Sequence, residues 1–305
     1  MSRRFLLGFA SALIAILALA RIATAQAGAA LPPIRVITTA WLADHLKDPN
    51  VVVVEIGMSG TAAMTSNGHI PGARQLTFDE FVVERDGLRT ELPSEEKLRA
   101  LFEGLGISDS TLVVVTSSHE APMASRALMT LDYLGLTKLA WLDGGPAAWK
   151  AEKRPMSSDA AAPKRGRISA RARTDLVVNA EWIGARQSKP GLALIDTRTT
   201  GEYIGAGERH GMPSEGHLKG ARQLEWEQLF SNPDQLKLKP MAELQQLFAN
   251  RMQAGDTVVT YCWIGYRASM TYTAARILGL PARFYDGSYQ DWLKRKLPVN
   301  AGSAP

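Results

Sequence analysis

Short apolar runs alternate along the chain with stretches in which apolar residues recur at helical spacing. In the C-terminal half, "NAEWIGARQ" (179–187) reads as a helix and "GLALID" (191–196) as a strand. "KPMAELQQLFANRM" (239–252) reads as an amphipathic helix with Met241, Leu244, Phe248 and Met252 on one stripe. "DTVVTY" (256–261) is a strand, and "ASMTYTAARILG" (268–279) is a helix that Gly279 stops. "ARFYD" (282–286) is a strand and "SYQDWLK" (288–294) a closing helix. Short strands that alternate with helices and carry little polar spacing predict an α/β fold with a parallel sheet covered on both faces. In such sheets ligands bind beyond the carboxyl ends of the strands.

The same order of segments occurs twice. "GHIPGARQL" (68–76) recurs as "GHLKGARQL" (216–224), and "AWLADHLKDPNVVVVEIG" (40–57) is echoed by "EWIGARQSKPGLALIDTR" (181–198), which aligns Trp41 with Trp182 and Glu55 with Asp196. "LDYLGLTKLAWLDGGPAAW" (131–149) is echoed by "RILGLPARFYDGSYQDW" (276–292). Three paired segments in one order predict two tandem copies of one fold, over 34–150 and 168–300. The stretch 151–167, rich in Ala, Pro, Ser and charge, is the expected linker. The pairwise recurrence of Trp41, Trp149, Trp182 and Trp292 marks them as expected core residues.

The N-terminus follows neither pattern. Arg3 and Arg4, an apolar run from Phe5 to Ala20, and Ala23-Thr24-Ala25 have the three-part form of a signal peptide over 1–25, cut before Gln26. That predicts an exported protein, periplasmic or secreted, with Sec and Tat routes both open to the paired arginines and no stable membrane span after cleavage. The leader carries three arginines and no acid, so the net charge of +5 falls to +2 in the mature chain. A small positive excess suits anionic small molecules and is no nucleic-acid signature. With one cysteine in the whole chain an internal disulfide is excluded, and the thiol is either a packed bystander or a reactive group.

Its location decides between them. Cys262 ends the strand 256–261, and the helix starts near Ala268. The residues between, Trp263, Ile264, Gly265, Tyr266 and Arg267, must curl, with Gly265 permitting a turn closed to larger residues. A loop curling into a helix turns successive backbone N–H groups inward, making an anion nest that favours thiolate and cradles an anionic substrate. Arg267 adds a permanent cation with a planar fork for oxyanions.

"GHLKGA", the strand end "DTR" (196–198), the Cys-x-x-Gly-x-Arg loop and the closing "DG…W" resemble the rhodanese family, and the tandem arrangement resembles its two-domain sulfurtransferases. The resemblance covers residues 34 to 300. It implies two rhodanese-like domains and a persulfide mechanism. Cys262 thiolate takes the outer sulfur of a small anionic donor such as thiosulfate and passes it to a thiol or cyanide-like acceptor, with no cofactor. On this reading Trp263, Ile264, Gly265, Tyr266, Arg267 and Arg198 bind substrate and Asp196 supports them, although Asp196 and Arg198 equally fit a structural ion pair. Trp263 and Tyr266 either line the donor pocket or shield the thiol from water. Glu202, four residues past Arg198, resembles single-domain rhodaneses and would repel a dianion unless Arg198 neutralises it. Arg267 is then the main fixed cation for the donor.

The first copy lacks this chemistry. Aligning Leu278-Gly279 with Leu134-Gly135 sets Ser118 opposite Cys262 and Met123 opposite Arg267, and the strand-end alignment sets Gly57 opposite Arg198, so the copy is expected to be catalytically silent. His69 either reaches the cleft between the copies or fixes its own turn. His210 and His217 have no partner at metal-ligand spacing, and no metal is expected. Two rival functions remain: a non-enzymatic sulfur carrier or partner-binding module, and a Cys-loop-Arg phosphatase. The phosphatases of this fold place five residues between Cys and Arg, whereas this chain has four.

Overall fold

The structure, a computed structural model, describes residues 33–58, 68–187, 189–209 and 211–305; the expected leader and His210 lie outside them. In the first copy the strands are β1 (Arg35–Ile37), β2 (Val51–Gly57), β3 (Arg74–Thr77), β4 (Val83–Arg85), β5 (Leu88–Glu91), β6 (Leu112–Ser117) and β7 (Leu139–Leu142). Its helices are α1 (Thr39–His45), α2 (Glu95–Gly104), α3 (Ala121–Tyr133) and α4 (Gly145–Ala151). The second copy supplies β8 (Val177–Val178), β9 (Leu192–Asp196), β10 (Arg222–Gln223), β11 (Phe230–Asn232), β12 (Lys237–Leu238), β13 (Thr257–Tyr261) and β14 (Ala282–Tyr285). Its helices are α5 (Ala180–Gly184), α6 (Thr200–Ile204), α7 (Met241–Ala249), α8 (Ala268–Ile277) and α9 (Ser288–Lys294).

Each copy forms a five-stranded, all-parallel sheet, ordered β1-β7-β6-β2-β3 in the first and β8-β14-β13-β9-β10 in the second. The two orders coincide strand for strand, as the repetition predicts. Parallel strands need crossover helices, which cover both faces and account for the nearly continuous burial of β2 and β6.

The alternation of side chains along the strands sorts the cores. Val52, Val54, Val113 and Val115 of the first sheet and Ile195 and Val258 of the second join one hydrophobic core that spans both copies. Val53 and Val114 face a separate core of the first copy, and Leu194, Val259 and Tyr261 one of the second. Helices α3 and α8 pack against each other across the shared core, joined by the Ser125 and Ser269 hydroxyls at 2.8 Å. Asp132 of α3 accepts from Tyr272 at 2.6 Å and from Arg276 at 2.8 Å on α8. The segment 152–173 is held against the first copy by His69–Ser157 backbone bonds and by Gly166 N–H donating to Glu103 at 2.7 Å.

Two expectations need correction. On α7, Leu244 and Phe248 are buried, but Met241 is 40% exposed and Met252 falls beyond the helix, which ends at Ala249, so the stripe is half as long as its spacing predicts. Trp149 and Trp292 are core residues whose indole N–H groups donate to Pro155 and Pro298, each six residues on. Trp41 and Trp182 are only half-buried: the first stacks on His45, and Arg186 and Arg283 lie over the second.

Candidate active site

Strand parity places the thiol. Continuing β13 by one residue turns Cys262 to the side of Val258, toward the core shared by both copies, and Cys262 is fully buried there. Trp263 takes the opposite parity with Val259 and Tyr261, and its ring packs in the second copy's own core, 4.9 Å from Tyr289. Trp263 is therefore not among the residues that line the cleft described below. Ile264 is half-buried against the same core, and its carbonyl accepts from Thr90 of the first copy; its side chain does not line the cleft either.

Behind Cys262 the loop is pinned by the end of β14 and the start of α9. The Cys262 N–H donates to Ser288 Oγ at 3.3 Å, and the Tyr289 and Gln290 N–H groups donate to the carbonyls of Cys262 and Trp263, both at 3.0 Å. Gly265 has φ +82°, and a Cβ there would stand 2.7 Å from the Asp286 carbonyl oxygen, so both its backbone angle and its surroundings exclude a side chain. Among the described residues, nothing accepts a hydrogen bond from the backbone N–H groups of Trp263 to Arg267. The curl thus offers unpaired donors at the mouth of α8, the arrangement its sequence predicts.

Arg267 and Tyr266 are the loop residues that reach the cleft, a space of about 350 Å³ walled by both copies. His119, Glu120 and Pro122 come from the first; Thr199, Arg209, Glu225, Trp226, Glu227, Pro233 and Asp234 come from the second. Tyr266 donates to Glu120 at 2.9 Å, and burial followed by that carboxylate raises its pKa well above the ordinary tyrosine value. Arg267 is not a free cation: both its terminal nitrogens donate to Glu202, at 2.8 and 2.9 Å. Burial pushes the Glu202 carboxyl up, but the bonds and charge of Arg267 outweigh it and hold the carboxyl down at about 2. Glu202 also caps the start of α6, accepting from the Thr199 N–H at 2.8 Å.

Arg198 therefore does not neutralise Glu202, and it does not line the cleft. Its guanidinium is fully buried, 2.6 Å from Asp196 Oδ2, with Nε also donating to Asp196, and it donates to the Gly216 carbonyl at 2.7 Å. The Tyr289 ring lies 3.9 Å from it. Asp196 accepts further from Tyr261 at 2.6 Å. Asp196, Arg198, Tyr261 and Trp263 share the face opposite the thiol, so the structural ion pair is the reading that the geometry supports. Burial alone would lower the Arg198 pKa; the Asp196 charge overrides it and holds it above the ordinary arginine value.

The first copy's contribution was hidden in the sequence. The β4–β5 hairpin and α3 brace the catalytic loop from behind. Arg126, fully buried, is ion-paired with Asp286 at 2.7 Å and donates to the Thr90 carbonyl at 2.6 Å. Arg89 N–H donates to Gln290 at 3.1 Å, and Leu92 N–H donates to Asp286 at 2.8 Å. Arg126 aligns with Met270 of the repeat, so no motif marks it. His69 fixes its own segment, Nδ1 lying 2.9 Å from the Ile70 carbonyl, and it does not line the cleft. His217 is likewise spent on the Tyr203 and Ala304 carbonyls.

The strand registers also correct the alignment of the copies. Glu55 pairs with Thr116 as Asp196 pairs with Tyr261, and Val115 pairs with Trp141 as Thr260 pairs with Phe284. Ser117, not Ser118, therefore stands where Cys262 stands. The helices keep the alignment of Leu134 with Leu278, both C-caps, so the first loop is one residue longer. Ser117 Oγ donates to the Ile56 carbonyl at 2.9 Å, and no arginine follows it in that loop.

Comparison with known proteins agrees with this geometry. The rhodanese-like domain family matches residues 38–152 and 179–295. The chain is 30% identical to the thiosulfate sulfurtransferase of Azotobacter vinelandii, over 84% of this chain and 93% of that one. It is 31% identical to the sulfur carrier protein TtuD of Thermus thermophilus, over 84% and 92%. Among solved structures, the 3-mercaptopyruvate sulfotransferase SseA of Escherichia coli superposes with a TM-score of 0.72 at 24% identity, over 84% and 99% of the two chains. With two matching domains, one cysteine-bearing loop and relatives aligned over most of their length, the chain belongs to the rhodanese family and is a two-domain sulfurtransferase.

Proposed function

We propose that Cys262 accepts a sulfane sulfur from a small anionic, thiosulfate-like donor, holds it as a persulfide, and hands it to a thiol or cyanide-like acceptor. The observation that carries this is the single cysteine under a loop of unpaired N–H donors, with Arg267 of that loop facing the cleft. Cys262 thiolate attacks the outer sulfur of thiosulfate, the donor's S–S bond breaks, and sulfite leaves with the electron pair. The acceptor then attacks the terminal sulfur, and Cys262 thiolate is the leaving group. Loop N–H groups stabilise the charge on both thiolate and persulfide. The thiol is closed from solvent, so donor entry requires side chains of the loop to move. The first copy braces the loop and walls the cleft without chemistry of its own. The reading includes export with removal of residues 1–25, supported by the three-part leader.

Intact-mass measurement after thiosulfate treatment should show one added sulfur, absent from Cys262→Ser; an equal gain in the variant would overturn the assignment. N-terminal sequencing of protein from its host should start near Gln26, and a retained Arg3-Arg4 segment would overturn export.

A further inference from the structure

The walls of the cleft carry the wrong charge for a dianion. Glu120, Glu225, Glu227 and Asp234 line it, against Arg209 and Arg267. Arg267 is cancelled by Glu202, and Glu120 is spent on Tyr266 with His119 at 3.9 Å. Among the described residues Glu225, Glu227 and Asp234 make no ion pair, and Arg209 is the one lining cation not cancelled by a carboxylate. The Glu225 carboxyl is raised first by burial and then by the charge of Glu227, with Arg267 acting the other way. Trp226, between the two glutamates, adds an aromatic wall. The loop itself keeps unpaired N–H donors for an anionic sulfur. The cleft is thus bipolar: positive at the sulfur, negative at the rim.

From this arrangement we infer that the small molecule taking sulfur from Cys262 is an aminothiol, whose thiolate meets the loop while its ammonium group lies among Glu225, Glu227, Asp234 and the Trp226 ring. This rests on the persulfide reading above and names the acceptor class for that site. The step is balanced without any other reagent. The acceptor thiolate attacks the terminal sulfur of the Cys262 persulfide, the S–S bond breaks, Cys262 thiolate leaves with its electrons, and the product is the acceptor's persulfide. An ammonium group near a tryptophan face and three carboxylates is held by charge and by cation–π attraction together. A dianionic donor meets the same rim as a barrier.

Sulfur transfer from persulfidated protein to cysteamine (cationic), 2-mercaptoethanol (neutral) and mercaptoacetate (anionic) tests the inference. Changes are read as variant-to-wild-type ratios for each thiol, so that their intrinsic reactivities cancel. In the triple variant E225Q/E227Q/D234N, kcat/KM for cysteamine should fall about tenfold relative to 2-mercaptoethanol, and that for mercaptoacetate should rise, as expected for charges felt within a Debye length. In the wild type, added salt should slow transfer to cysteamine and speed transfer to mercaptoacetate, a readout that does not depend on how the variant folds. Equal ratios for the three thiols, or salt effects of one sign on all, would overturn the aminothiol assignment while the mass of the Cys262 persulfide still upholds sulfur transfer. If no persulfide forms on Cys262 with any donor, both readings fall.

Discussion

Replacing Glu202 by Gln separates two effects that the Glu202–Arg267 pair combines. The glutamine keeps the side-chain oxygen that caps α6 but removes the charge that cancels Arg267. The carboxyl is held at about 2 against an ordinary 4.5, which at about 1.4 kcal/mol per unit corresponds to about 3–4 kcal/mol by which Arg267 and the Thr199 bonds together outweigh the cost of burial. Solvent on the cleft side reduces this to about 2 kcal/mol. Because the folded pKa is depressed, that stability is fully present above pH 4.5 and is lost as pH falls toward 2. Urea denaturation at pH 7 should therefore find E202Q about 2 kcal/mol less stable, with the gap to wild type closing as the buffer is taken toward pH 2. Kinetics should move the other way. With Arg267 unmasked, KM for thiosulfate should fall about tenfold, the worth of about 1.4 kcal/mol of regained attraction. A variant of unchanged stability and unchanged or higher KM for thiosulfate would refute the claim that Glu202 neutralises the loop's arginine.

Gly265→Ala must place a Cβ against the Asp286 carbonyl at a positive φ, which costs about 1–2 kcal/mol in backbone strain before the loop shifts; turnover should drop at least about tenfold, and activity within twofold of wild type at an unchanged denaturation midpoint would count against the loop geometry. Ser117→Ala and Ser118→Ala should each leave turnover within about twofold, a barrier change of ~0.4 kcal/mol; a hundredfold loss in a steady-state assay would give the first copy a chemical role. Glu91, whose carboxyl is raised to about 8 by burial and then by Asp286, keeps its proton in the folded state while the unfolded chain has lost it, so stability should decline as pH rises from 4.5 to 8. Glu91→Gln should flatten that slope in thermal melts across the range, and an unaltered slope would mean that another group sets it.

How much of the site was legible depended on whether its logic ran along the chain or across it. Repetition, strand periodicity and the Cys-x-x-Gly-x-Arg spacing are local properties, so the two-copy α/β fold, its parallel sheets and the position of Cys262 beyond a strand's carboxyl end followed from them. Parity was legible as well: Trp263 follows Cys262 by one residue and must face the other way, as Val259 follows Val258. Weighing residues by chemistry alone, without that parity, assigned Trp263 and Arg198 to the substrate.

Pairing across the chain was decided only by tertiary structure. Asp196 and Arg198 are two residues apart on one face and close on each other, which leaves Glu202 to Arg267, 65 residues away. Arg126 reaches Asp286 from the other copy, and nothing in its own repeat position announces it. Charge pairs depend on distance and on the desolvation that burial imposes, and both are set when the sheets pack, not when the strands form. The sequence by itself determined what the loop is and which thiol it carries; the packing of two copies around a shared core decided which charges beside it stay unpaired.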